Sequence, residues 1–161
     1  MKSTNELFEI LSLIPDPEIP VINIKELGVL RNVEVKDDEV IVDITPTYSG
    51  CPAMKMIEDD IVAKLNEAGV HKVKVNMIYS PAWTTDWLTE EAKEKLRKYG
   101  IAPPEKTSID KSSITGKPKN LKCPRCGSFH VEMVSQFGST ACKALYKCSD
   151  CLEPFDYFKC I

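Results

Sequence analysis

Leu7, Phe8, Ile10, Leu11 and Ile14 recur at helical spacing near the start of the chain, behind Ser3 and Glu6, which are spaced as a capping box. Pro15, Pro17 and Pro20 end that helix, because proline blocks its own turn and disfavours helix in the residue before it. The apolar period then changes. Val29–Val35 and Val40–Ile44 are β-branched and partly alternating, and the polar stretch Lys36-Asp37-Asp38-Glu39 between them predicts a hairpin. Helical spacing returns at Met54, Ile57, Ile61, Leu65 and Ala68, with Pro52 in the first turn and Gly69 as the stop. Residues 72–77 alternate as a third strand. A last helix is predicted over Thr89–Tyr99, with Glu90 and Glu91 in its first turn and Gly100 after its end.

This order predicts an α+β domain over residues 1–101, a small three-stranded sheet with helices packed on it. Residues 102–122 are rich in Pro, Ser, Thr and Lys and lack an apolar period, so they read as a linker. The remaining stretch, 123–161, is too short to fold on an apolar core alone and needs a staple.

Composition narrows the class of protein. The chain has 161 residues and a formal net charge of −3, divided between −6 over residues 1–116 and +3 over 117–161. The basic tail is too weak to be a nucleic-acid footprint. No segment reads as an export signal or a bilayer span, so no membrane partner is expected and the cytoplasm is the expected compartment. Seven cysteines in such a setting favour metal binding or thiol chemistry over a disulfide framework.

Four of those cysteines supply the staple. Cys123-Pro124-Arg125-Cys126 and Cys148-Ser149-Asp150-Cys151 are two Cys-x-x-Cys knuckles, and each spacing lets both sulfurs reach one ion from a tight turn. Together they predict a closed four-sulfur site of the zinc-ribbon kind, which supplies folding energy and leaves no open position for catalysis. Zinc is the expected metal; four thiolates also accept iron or an iron–sulfur cluster. Cys142 and Cys160 are expected either as buried small residues of this module or as additional ligands. His130 is expected in a strand or loop and His71 in a solvated loop.

Cys51 stands apart from the other six, in Thr45-Pro46-Thr47-Tyr48-Ser49-Gly50-Cys51-Pro52, where the strand pattern gives way to a helix. A helix starting at Pro52 puts Cys51 at its N-cap, where free N–H groups favour an anion and lower a thiol pKa. Thr45 and Thr47 could offer hydroxyls to a ligand. The other reading is simple packing, since free cysteine is often buried.

The segments Asp16-Pro17-Glu18-Ile19-Pro20, Glu26-Leu27-Gly28, Gly50-Cys51-Pro52 and Pro81-x-Trp83 resemble the MIP18 (DUF59) family. The tail segments 137–145 and 154–160 are similar to the PaaD-like proteins encoded with bacterial phenylacetyl-CoA epoxidase, a multicomponent oxygenase. The resemblance implies a role in maturation: assembly or delivery of an iron–sulfur cluster or iron, with Cys51 as the functional thiol and Glu18 near it. The implied partners are the iron–sulfur assembly machinery and the oxygenase, either its iron–sulfur reductase or its di-iron subunit. A structural or docking subunit of that oxygenase is the alternative. The residues agree with a non-catalytic role, for there are no Glu-x-x-His pairs for a di-iron bundle and no Gly-rich nucleotide loop. One cysteine cannot complete a cluster's ligands, so a homodimer pairing two copies of Cys51 is a further expectation.

Overall fold

The computed structural model of the protein describes residues 2–104 and 120–158. Most of the expected linker, 105–119, and Cys160 lie outside them. The chain divides into two compact units, Met1–Trp83 and Thr84–Ile161.

The first unit runs α1 (Thr4–Leu11), β1 (Leu30–Lys36), β2 (Glu39–Ile44), α2 (Ala53–Glu67) and β3 (Val73–Met77). Ser3 and Glu6 form the predicted capping box, each side chain taking the other residue's backbone N–H. The strands lie in the order β1-β2-β3, with β1 and β2 antiparallel and β2 and β3 parallel. Lys36 pairs with Glu39, leaving Asp37 and Asp38 as a two-residue turn, both at positive φ. That is the turn whose twist matches a hairpin, and aspartate tolerates it. The crossover from β2 to its parallel partner is α2, as parallel pairing requires. Val33, Val40, Val42 and Ile44 of the sheet are buried together with Leu7 and Leu11 of α1 and Ile57, Ile61 and Leu65 of α2.

The second unit holds α3 (Glu90–Tyr99), β4 (Ile101–Ala102), β5 (Val131–Ser135), β6 (Lys143–Cys148) and β7 (Pro154–Phe158). Its sheet order is β4-β7-β6-β5. The sequence pattern puts the domain boundary after residue 101, whereas the compact units divide between Trp83 and Thr84. The reason is local. β4 pairs in parallel with β7, and Gly100, the left-handed C-cap of α3, lies against the Arg125 guanidinium of the first knuckle. A Cβ at residue 100 would stand 2.8 Å from that guanidinium, so glycine meets both the positive φ of 94° and the close approach. Tyr146, Phe155 and Tyr157 pack their rings in a small core that includes Ala102, Leu121, Cys123 and Cys148.

Candidate functional site

The Cys51 corner is built by the loop from β2 to α2. Thr45 leaves the sheet with its N–H bonded to the Val29 carbonyl at 2.9 Å, and its hydroxyl donates to the Ile78 carbonyl. The side chain is buried and its proton committed, so Thr45 anchors the loop, where the sequence reading has it offer a hydroxyl to a ligand. Thr47 stands half-buried further along. The chain then turns back: Cys51 N–H donates to the Tyr48 carbonyl at 3.3 Å, and Gly50 takes φ +75°. No atom lies within 4 Å of a Cβ built at residue 50, so it is the backbone conformation that calls for glycine.

The N-cap of α2 is Pro52, one residue later than expected. Pyrrolidine geometry holds its φ at −67°, already helical, and Cys51 falls just outside the helix. The Cys51 sulfur still accepts the Ala53 N–H and a hydrogen bond from the Tyr48 side chain. The expected lowering of the thiol pKa does not follow. Burial of the half-covered thiol pushes its pKa up, the Ala53 and Tyr48 hydrogen bonds pull it down, and the charges of Glu18 and Asp16 push it up again. The net direction is upward: desolvation and like charge outweigh the helix start.

Glu18 reaches this corner from the loop after α1. Asp16, buried, accepts the Glu18 N–H at 2.9 Å and the Ile19 N–H at 2.8 Å, a turn in the loop that follows α1, which ends at Leu11, before Pro15 is reached. Glu18 and Asp16 therefore both act on the Cys51 thiol, although they lie far from it along the chain, in the segment before β1. Two other sequence motifs serve packing. Asn23 and Glu26 cap each other's backbone N–H, and Trp83 donates its indole N–H to the Leu27 carbonyl at 2.8 Å. Tyr48 is a site residue that sequence reasoning misses. Its signal is the turn at Ser49-Gly50, which folds residue 48 back over residue 51.

The four knuckle cysteines form a second site. Their sulfurs all lie within 4.8 Å of one another, with Cys123 and Cys151 3.7 Å apart and Cys126 and Cys148 3.5 Å apart. One ion with metal–sulfur bonds of about 2.3 Å sets tetrahedral sulfurs about 3.8 Å apart, so the donors fit a single closed tetrahedral metal. Gly127 follows the first knuckle at φ +76°, and Leu152 takes the same place after the second at φ +65°. N–H groups of Cys151 and Asp150 help hold the Cys148 thiol down at about 7. Cys151 accepts the Glu153 N–H, yet burial and the neighbouring sulfurs push it up to about 12. Four thiols this close cannot ionise alike without a cation. Cys142 lies outside the cluster, buried, with its sulfur 3.0 Å from the Thr140 hydroxyl. His130 is exposed and bonds to Asp150.

These two sites coincide with two sequence families. Residues 4–77 match the family described as "Iron-sulfur cluster assembly protein", and residues 107–159 match the "PaaD zinc beta ribbon domain". Over 157 residues the chain is 49% identical to an Escherichia coli (strain K12) protein whose provisional name makes it one of the subunits of 1,2-phenylacetyl-CoA epoxidase, covering 98% of this chain and 93% of that one. The chain belongs to the PaaD family. Its PaaD ribbon carries the four-cysteine site, and its assembly domain carries Cys51 and Glu18. That domain is also similar to smaller proteins. The chain is 36% identical over 98 residues to the Fe–S protein maturation auxiliary factor of Porphyromonas gingivalis (strain ATCC BAA-308 / W83), covering 60% of this chain and 92% of that protein. The crystal structure of a DUF59 domain from Bacillus anthracis superposes with a TM-score of 0.53 and 28% identity, over 58% of this chain and 90% of the other. Among the described residues, no helix is long and apolar enough to cross a membrane.

Proposed function

We propose that this PaaD-family chain is a cytoplasmic maturation factor, not an enzyme, and that it assists delivery of an iron–sulfur cluster or iron to the multicomponent phenylacetyl-CoA epoxidase. The observation that carries the reading is the meeting of Cys51 with Glu18 and Asp16 inside the assembly domain. Two carboxylates beside a half-buried thiol oppose a thiolate but favour a cation. The charges that keep the empty thiol protonated are the charges an arriving metal neutralises. Cys51 is the transfer thiol, with Glu18 and Thr47 in support and Thr45 fixing the loop. The iron or cluster is cargo, passed between the iron–sulfur assembly machinery and the oxygenase's reductase or di-iron subunit. A dimer placing two Cys51 thiols on one cluster would complete its ligands. The ribbon's Cys123, Cys126, Cys148 and Cys151 hold zinc, whose part is structural.

Anaerobic purification with metal and sulfide analysis tests the thiol. Wild-type protein should take up iron, with or without sulfide, beyond the one ribbon metal, and Cys51→Ala should take up only the ribbon metal. Equal uptake by both would remove Cys51 from the account. A docking subunit is the second reading, supported by the exposed Phe129, Met133, Val134 and Phe137 of the ribbon. It predicts a stable stoichiometric complex with the oxygenase that Cys51→Ala leaves unchanged.

A further inference from the structure

The two knuckles are joined by more than a metal. Ser128 follows the first knuckle and Asp150 sits inside the second, and the Ser128 hydroxyl donates to an Asp150 carboxylate oxygen. His130 places Nδ1 3.1 and 3.2 Å from the two oxygens of the same carboxylate, and its backbone N–H donates to Ser128 Oγ at 3.0 Å. Ser149 N–H donates to the His130 carbonyl at 2.8 Å. The same two residues also stand beside ligand cysteines in the chain: Ser128 comes two residues after Cys126, and Asp150 two residues after Cys148. Cys126 and Cys148 are the cross-knuckle pair 3.5 Å apart.

We propose that Asp150 is a positioning residue for the metal: its carboxylate, gripped by Ser128 and His130, locks the two knuckles together and aims one N–H from each at a ligand sulfur. Four thiolates around a divalent ion leave excess negative charge, which N–H···S bonds disperse. Groups that orient ligands in this way typically change metal affinity by about 10- to 100-fold when lost. Asp150 and His130 are exposed and Ser128 is half-buried, so these polar side chains add little apolar burial, and their contribution lies in holding geometry.

The proposal rests on metal occupancy of the four-cysteine site, which the wild-type metal content checks separately. Full-length zinc-loaded protein is mixed with a chromogenic chelator and the rate of zinc transfer is followed. Asp150→Ala should release zinc about tenfold faster. Asp150→Asn, which can still accept from Ser128, should recover much of the wild-type rate, and Glu132→Ala, an equal loss of charge on exposed β5 of the same ribbon, should match wild type. In the cobalt(II)-substituted protein, the thiolate-to-cobalt charge-transfer band of Asp150→Ala should move to lower energy as the N–H···S bonds weaken. If Asp150→Ala does not fold, Ser128→Ala removes the Ser128–Asp150 bond together with the acceptor for the His130 N–H, and should still speed release. A wild-type rate in the variant that folds, or equal acceleration by Glu132→Ala, would overturn the assignment.

Discussion

The corner at Cys51 and the ribbon at Cys123–Cys151 use the same side chain in opposite ways. The ribbon gathers four sulfurs within 4.8 Å, so each thiol's ionisation depends on its neighbours and the arrangement suits one resident metal. The corner isolates one thiol, half-covered, between carboxylates that hold it protonated. The surrounding folds differ to match. The first unit buries Leu7, Leu11, Ile57, Ile61 and Leu65 over a sheet and can stand without Cys51, whereas the ribbon's small core includes its own ligands Cys123 and Cys148. A ligand built into a core holds its metal, and a ligand outside one is free to exchange it.

The largest expected effect separates the units. Removing the ribbon metal with a chelator should unfold residues 120–158 and leave the first unit folded, because structural zinc sites contribute on the order of 10 kcal/mol. Hydrogen exchange read by segment checks this, and protection retained in β6 and β7 after chelation would break the comparison. The converse is Ile61→Ala, which empties a fully buried site on α2 and should cost the first unit about 2–5 kcal/mol with the ribbon metal retained. Denaturant titration alongside metal analysis reads both.

A smaller effect sharpens the electrostatics of the corner. Glu18→Gln removes a negative charge that raises the Cys51 pKa, so the thiolate fraction at a fixed pH below that pKa increases. Alkylation of Cys51 should become severalfold faster, and its pH profile should move to lower pH. An unchanged profile would separate Glu18 from the thiol. The smallest effect lies in the ribbon's second knuckle, where Leu152 occupies a left-handed position that its counterpart Gly127 fills without strain. Leu152→Gly should stabilise the metal-loaded ribbon by about 0.5–1 kcal/mol, the relief of strain being partly offset by added freedom in the unfolded chain. Chelator competition on the two ribbons measures it.

Much of this is legible in the chain because it depends on near neighbours. Ser3 and Glu6 share one helical turn, the apolar stripe from Met54 to Leu65 lies on one helix, and each Cys-x-x-Cys pair is a single turn. The parts that elude sequence reading join distant segments. Nothing near Gly100 announces that Arg125 lies against it, so α3 reads with the first domain although β4 pairs with β7. The sign of the Cys51 shift is hidden for a similar reason. The helix start is visible at Pro52, but the covering of the thiol and the carboxylate of Asp16 come from elsewhere in the fold. The resemblance to a family supplies the link between Glu18 and Cys51 that spacing alone withholds.

The central claim is that Cys51 acts on behalf of another protein. Its most direct test is to produce the phenylacetyl-CoA epoxidase components together with either wild-type chain or Cys51→Ala and to measure iron and sulfide in the purified oxygenase. The account predicts a folded Cys51→Ala protein with its ribbon metal intact beside an oxygenase deficient in iron or cluster. Full loading of the oxygenase beside Cys51→Ala would contradict it.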